Sequence, residues 1–467
     1  MLTGAVSKPR QKFVRQHQPS PAALEQASAL GSRNGTGFKD PACADNKSLP
    51  LHRWVPWIAG FSAPFVDQVL DSYLGQAAKS DRPLVLDPFA GVGTTLLQAA
   101  LRGFDYAGFD LNPYAVLAAR VKLRAARMNP GALERHIAGL RRAAARWRTA
   151  PARSALAPVH FRSRVPFFSP TVERQVLHAL GFIRSLPNRD IADLFRVAFG
   201  AVMVSFSNYT YEPSLGSRPG AGKPLIADAD VAETLLAKLH QMHADVLWLR
   251  EKSAGARALG HGEVHHEDFL TGHTRLPAGS VDLVVTSPPY LNNYHYVRNT
   301  RPQLYWLSLV HGAAQQRELE ARNFGKFWQT VRGAAPLSLT FRHAGLRRFL
   351  SKLRGVRSSA GPYGGPGWAN YAVAYFNDCD RFLGALSRLL RTDGVAVIVI
   401  GNSIIQGLEI RTEQILGDLA RQHGLAVEGI HCIRDKRVGA SITQSGVRRG
   451  KTSRSVLAEY SVVLRKR

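Results

Sequence analysis

Two short segments some 200 residues apart carry the residue types that could do chemistry together. The first is Asp87-Pro88-Phe89-Ala90-Gly91-Val92-Gly93-Thr94-Thr95, which follows the apolar run Leu84-Val85-Leu86. Small residues at such a point let a strand turn sharply into a helix, and Gly91 and Gly93 let the backbone approach a ligand closely. The helix that starts at Thr94 then offers free N–H groups to a carboxylate. The spacing is a short GxG, not the GxGxxG of dinucleotide sites. Asp110 ends the next apolar stretch, 19 residues after Gly91, a spacing that suits a carboxylate accepting from two ribose hydroxyls. Asp110 can equally cap the helix that begins near Pro113. Asp268, beside Glu267, is placed to accept an adenine amino group or to remain a solvated loop acid.

The second segment is Thr286-Ser287-Pro288-Pro289-Tyr290, after the apolar strand Val281–Val285. An aromatic amine is a poor nucleophile because its lone pair is delocalised into the ring. Two acceptors that bind its N–H hydrogens pull the nitrogen toward a tetrahedral shape and free that lone pair. Ser287 Oγ and the Pro288 carbonyl are the natural pair, held in place by the rigid Pro-Pro step. Tyr290 can then stack on a base rotated out of a duplex.

DPFAGVGTT, FDLNP and TSPPY, in this order, resemble the bacterial DNA amino-methyltransferases that use S-adenosylmethionine and modify N4 of cytosine or N6 of adenine. The resemblance covers about half the chain, roughly 51–125, 260–310 and 390–465. It implies that the turn from Asp87 through Pro88, Phe89, Ala90, Gly91 and Gly93 to Thr94 belongs to the donor site, with Asp110 on the ribose. It implies that Ser287, Pro288, Pro289 and Tyr290 hold the target amine, and it makes Phe61 and Ser62 further donor contacts. In the family it resembles, a serine at the first position of the second motif goes with N4 of cytosine rather than N6 of adenine, so the resemblance favours cytosine. Methylation at cytosine C5 needs a thiolate after a proline, and none of Cys43, Cys379 and Cys432 follows a proline. RNA base methylation and non-catalytic DNA binding on the same fold are the rival functions.

The resemblance implies that these residues are positioned by an α/β fold of the Rossmann-like class I methyltransferase kind. Short buried strands at 84–86, 106–109, 263–266, 281–286 and 395–400 alternate with helices, which implies a mostly parallel, doubly wound sheet. Two further strands, near Leu425–Ile433 and Leu457–Leu464, are expected to close the chain as an antiparallel edge hairpin, making seven. Residues 1–48 read as a disordered basic tail. The catalytic unit then falls into 49–128, 257–310 and 377–467. It is interrupted by a mainly helical insertion, 129–256, and a second insertion, 311–376. Within these, Ser214–Lys223 and Gly361–Gly367 read as loops, and helices are expected over 64–73, 94–102, 133–147, 232–250 and 377–390.

Lys and Arg number 61 against 34 Asp and Glu, a net charge of +27. Such an excess points to a polyanionic partner, here double-stranded DNA, with a cognate restriction endonuclease as a further expected partner. Tyr294, Tyr296 and Arg298 interleave aromatics with a base after the second motif, as a strand-binding segment would. His295 among them reads as structural. Arg434, Lys436, Arg437, Arg448, Arg449, Lys451 and Arg454 lie between the last two strands and could grip phosphates, as could the stretch Arg347–Arg354. Three cysteines without a CxxC pair argue against zinc and for a reducing compartment, and no metal is expected. Without a long apolar run or a signal-peptide core, a cytoplasmic protein is the expectation.

Overall fold

A computed structural model describes residues 45–57, 62–75, 82–149, 157–211, 214–254, 259–291, 296–436 and 457–467. Phe61, Tyr294, His295, Arg437, Arg448, Arg449, Lys451 and Arg454, with most of the expected basic tail, lie outside the described residues.

Seven strands form one sheet: β1 Leu84–Asp87, β2 Asp105–Asp110, β3 Gly262–His266, β4 Val281–Thr286, β5 Leu390–Gly401, β6 Leu425–Lys436 and β7 Leu457–Lys466. Their spatial order is β6-β7-β5-β4-β1-β2-β3. β7 runs antiparallel to both of its neighbours, and the other pairings are parallel. This is the Rossmann-like arrangement expected, with the antiparallel hairpin at one side. The central strands are buried on both faces, as a parallel sheet covered by helices demands. Alternate residues point to opposite layers. Val85, Leu283, Val285, Val395, Val397 and Val399 pack with α1 (Ala63–Tyr73) and α2 (Thr94–Leu101). Leu86, Val284, Ala396, Ile398 and Ile400 pack with two helices of the opposite layer. These are α9 (Gly365–Leu389) and α10 (Thr412–Gln422).

The helical block between β2 and β3 contains α4 (Pro130–Ala144), α5 (Pro170–Arg184), α6 (Arg189–Val202) and α7 (Val231–Ala254). It shares a single core with α3 (Pro113–Arg124), the N-terminal turn Leu51–Val55 and the segment Val297–Val310. Local sequence explains the starts of these helices. Ser62, Asn112, Asn129 and Ser169 each cap a helix whose first turn contains proline, which lacks the N–H that would otherwise be unpaired there. Asp245 on α7 is buried and binds the N-terminal turn. It accepts from Leu51 N (2.9 Å) and Trp54 Nε1 (2.9 Å), and pairs with Arg53.

Three expectations change. Ser214–Lys223 is not a free loop: Leu215–Ser217 pairs with Tyr209–Tyr211, and Arg218 N and Ile226 N donate to the main chain and side chain of Asn208. α9 begins at Gly365, well before the expected Asn377. Its Gly-Pro-Gly start is tolerated because Pro366 sits in the first turn and because Gly365 packs where a Cβ would come 1.8 Å from Leu353 O of α8 (Ala344–Gly355). Arg434 and Lys436 belong to β6 rather than to a loop, and Arg434 is tied to Glu459 of β7 (2.9 Å).

Candidate functional site

A cavity of about 900 Å³, counting its mouth, opens at the C-terminal ends of β1, β2 and β4, where ligands of doubly wound sheets lie. The glycine turn forms its floor. Gly91 has φ +52° and donates its N–H to Asp110 Oδ2 (2.8 Å). A Cβ at Gly91 would lie 3.1 Å from Trp57 Nε1, so the indole covers the turn. Pro88, Phe89, Ala90, Gly91 and Thr94 line the cavity. Gly93, at φ +83°, does not; it caps α2 without a side chain and packs against Ala119, whose Cβ would be 2.9 Å from a Cβ at Gly93. Lys122, fully buried on α3, donates to Val92 O (3.0 Å) and holds the turn from behind. Burial lowers its pKa to about 7.

Asp110 lines the cavity and accepts from Gly91 N and from Asn112 N (2.7 Å). Burial pushes its carboxyl up to about 6 against those two hydrogen bonds. Asp268 also lines the cavity and caps a short helix through Leu270 N (3.0 Å). Its neighbour Glu267 pairs with Arg275.

Asp87 does not face the cavity. It is 1% exposed, accepts from Thr286 Oγ1 (2.7 Å) and Phe89 N (3.1 Å), and so clamps the two motif-bearing strands together. Burial raises its pKa to about 6. Ser62 likewise serves α1 as its cap rather than lining the cavity.

In the second motif, Ser287 and Pro289 line the same cavity as the glycine turn, whereas Pro288 and Tyr290 do not. Tyr290 packs over Gly401 of β5, where an added Cβ would meet its ring at 3.0 Å. Ser287 Oγ donates to Tyr290 Oη (3.4 Å), and Tyr290 in turn bonds Glu459. Burial raises the Tyr290 phenol well above its ordinary range. Tyr296 lines the cavity and stacks on Trp57, while Arg298 is exposed on the same short helix.

Several cavity residues escaped the sequence reading. Trp57 reads as a core anchor, because its partner Tyr296 is far away in the chain. Asn112 was visible only as part of FDLNP; it caps α3 and donates to Thr300 Oγ1 (2.7 Å). Phe324 comes from the second insertion and meets Phe89 edge-on (5.0 Å).

Fold and site together define a class: a Rossmann-like domain with a glycine-turn pocket facing an SPPY motif. No protein-family model matches the chain. The type II methyltransferase M.BsoBI of Geobacillus stearothermophilus is 23% identical over 289 residues, 56% of this chain and 54% of that protein. The chain therefore spans about half the length of this curated relative. Two solved structures show weaker likenesses. A Thermus thermophilus protein described as a DNA modification methylase is 17% identical, with a TM-score of 0.19 over 42% of this chain and 49% of that one. The rRNA methyltransferase aviRa of Streptomyces viridochromogenes is 11% identical, with a TM-score of 0.30 over 91% of each chain.

Among the described residues, no group of three His, Cys, Asp or Glu side chains is placed to hold a metal, and no helix is long and apolar enough to cross a membrane.

Proposed function

We propose that this protein transfers a methyl group from S-adenosylmethionine to the exocyclic amine of an unstacked DNA base, with N4 of cytosine favoured over N6 of adenine. The observation that carries the reading is the shared cavity: Ser287 and the Gly91 turn line one space, although 196 residues separate them, joined by the buried Asp87–Thr286 bond.

The residues present suit the donor. A turn without side chains at Gly91 accommodates a close backbone approach. The start of α2, capped by a glycine, offers N–H groups to a carboxylate, and Asp110 offers oxygens to ribose hydroxyls. The donor, when bound, would supply an electrophilic methyl on a sulfonium; the S–CH3 bond would break as N–CH3 forms, leaving S-adenosylhomocysteine and releasing one amine proton to solvent, so the chain's contribution is orientation. Ser287 has its own proton directed at Tyr290, which leaves its lone pairs to accept from the target amine. The Tyr290–Glu459–Arg434 chain fixes that direction. The preference for cytosine rests on the serine itself, as the resemblance implies. Exposed Arg347, Arg348 and Lys352 on α8, which form no ion pair among the described residues, are suited to phosphates.

The test is expression in a host lacking such modification, followed by sequencing of that host's DNA with a method that separates N4-methylcytosine from N6-methyladenine. The expected result is N4-methylcytosine in one recurring motif, absent with Ser287→Ala although that variant still binds S-adenosylhomocysteine. N6-methyladenine would overturn the cytosine preference. No modification by folded, donor-binding protein would overturn the DNA reading in favour of RNA or of binding alone.

A further inference from the structure

A second cavity adjoins the first across a wall made by Trp57 and Tyr296, which line both. Their rings are nearly parallel, 15° apart in plane, with centroids separated by 6.5 Å. The second cavity holds about 430 Å³, counting its mouth. Tyr114 and Tyr211 complete an aromatic surround, and Asn299 and Gln303 supply the polar groups. Gly200 makes room for the Tyr114 ring, because a Cβ there would lie 2.5 Å from it.

Hydrogen bonds lock both amides. Gln303 Nε2 donates to Gly200 O (3.0 Å) and to Tyr211 Oη (3.3 Å), and Tyr211 Oη donates to Asn299 O (2.9 Å). Asn299 Oδ1 accepts from Leu215 N (3.1 Å). These contacts settle which end of each amide is engaged. The other ends, Asn299 Nδ2 and Gln303 Oε1, are buried without a hydrogen-bond partner among the described residues, and each residue is only 5% exposed. Buried polar atoms are almost always paired, so one orphan donor and one orphan acceptor, on two residues that line the same aromatic cavity, mark those residues as candidates for reading a ligand edge.

The chemistry of the edge is specific. Aromatic faces stack on planar heterocycles, and an amide donor with an amide acceptor reads an amino group beside a ring nitrogen. Among the described residues, no charged side chain lines this cavity, which disfavours a phosphate or a carboxylate. The geometry points to a second nucleobase site, in which Asn299 and Gln303 read an unpaired amino-bearing base next to the one presented to Ser287. This rests on the function proposed above. It makes the two residues determinants of sequence context rather than of methyl transfer. The Asn112–Thr300 bond ties the two cavities into one rigid wall.

Asn299→Asp keeps the acceptor for Leu215 N and replaces the orphan donor by an oxygen; Gln303→Leu removes the orphan acceptor. Each variant, checked for folding by thermal melting, is compared with the wild type in three measurements. These are calorimetry with S-adenosylhomocysteine, saturation-transfer NMR with cytidine and adenosine in the presence of saturating S-adenosylhomocysteine, and methyl transfer to duplex DNA. The expected result is nucleoside binding by the wild type that falls at least tenfold in either variant. The KM for DNA rises by a similar factor, and S-adenosylhomocysteine affinity stays within twofold. Unchanged nucleoside binding in a folded variant overturns the inference, as does absence of nucleoside binding by the wild type. A parallel tenfold loss of S-adenosylhomocysteine affinity also overturns it, by assigning the cavity to the donor. Nucleoside binding lost in the variants, with no DNA methylated by the wild type, would keep this site and overturn the proposed function. Methylated DNA with unaltered nucleoside binding would do the reverse.

Discussion

Asp110 carries a testable pH signature. Its carboxyl is pushed up to about 6 by burial, so protonation begins close to neutrality. Only the ionised form offers both oxygens as acceptors. Affinity for S-adenosylhomocysteine is therefore expected to fall as pH drops through about 6, and Asp110→Asn should bind weakly at every pH and lose this dependence. Calorimetry at pH 5, 6, 7 and 8 checks it; an unchanged wild-type affinity at pH 5 would remove Asp110 from the donor's ribose. Glu459 makes a second case. It bonds Tyr290, which accepts from Ser287, so under the proposed function its role is to position Ser287. Glu459→Ala is expected to lower kcat about tenfold, the scale of one net hydrogen bond, with donor affinity unchanged. Glu459→Gln, which still accepts from Tyr290, should recover most of the loss. Equal losses in both variants would point to stability instead, and melting curves would show it.

At the scale of elements, Asp245 joins two parts of the chain that lie far apart in sequence. One buried carboxylate on α7 holds the main chain of Leu51, the indole of Trp54 and the guanidinium of Arg53. Asp245→Ala is expected to cost about 3–5 kcal/mol, the range for removing one partner of a buried pair. It should also weaken donor binding, because the same turn carries Trp57 toward Gly91. Denaturant melts and calorimetry on the same protein test both parts. The elements also show what the sequence could disclose. β1 and β4 are apolar runs bounded by turn residues, so period and punctuation suffice to find them. The start of α9 was hidden because Gly365-Pro366-Gly367 has loop composition. What makes it helical is contact with α8 and the stacking of Trp368 on Trp328 (4.8 Å), which no local pattern contains. Likewise Asp87 and Gly93 read as pocket residues, since a motif gives the order of residues and not the side to which each one faces. Gln303 carries no motif, and Asn299 only closes the segment read as strand-binding; the significance of both appears once Tyr211 and Gly200 are brought beside them.

For the whole molecule, the excess of 61 basic over 34 acidic residues makes a direct prediction. Affinity for duplex DNA should fall steeply with salt, and each α8 cation that meets a phosphate should contribute about one to the slope of log K against log salt. Arg347→Gln with Arg348→Gln is expected to weaken binding to all sequences alike and to reduce that slope, as fluorescence anisotropy between about 50 and 300 mM salt would show. A loss confined to one sequence would mean base reading instead.

The clamp between Asp87 and Thr286 has a consequence for biosynthesis. β1 lies in the middle of the sheet, yet its neighbour β4 is 199 residues further along the chain. At about 5–20 residues per second, translation leaves one side of β1 without its partner for roughly 10–40 s. Throughout that interval the nascent chain presents an apolar strand edge, the kind of surface on which chains pair with one another. Yield of native protein should therefore depend on temperature and on chaperone supply during synthesis far more than the stability of the finished sheet suggests.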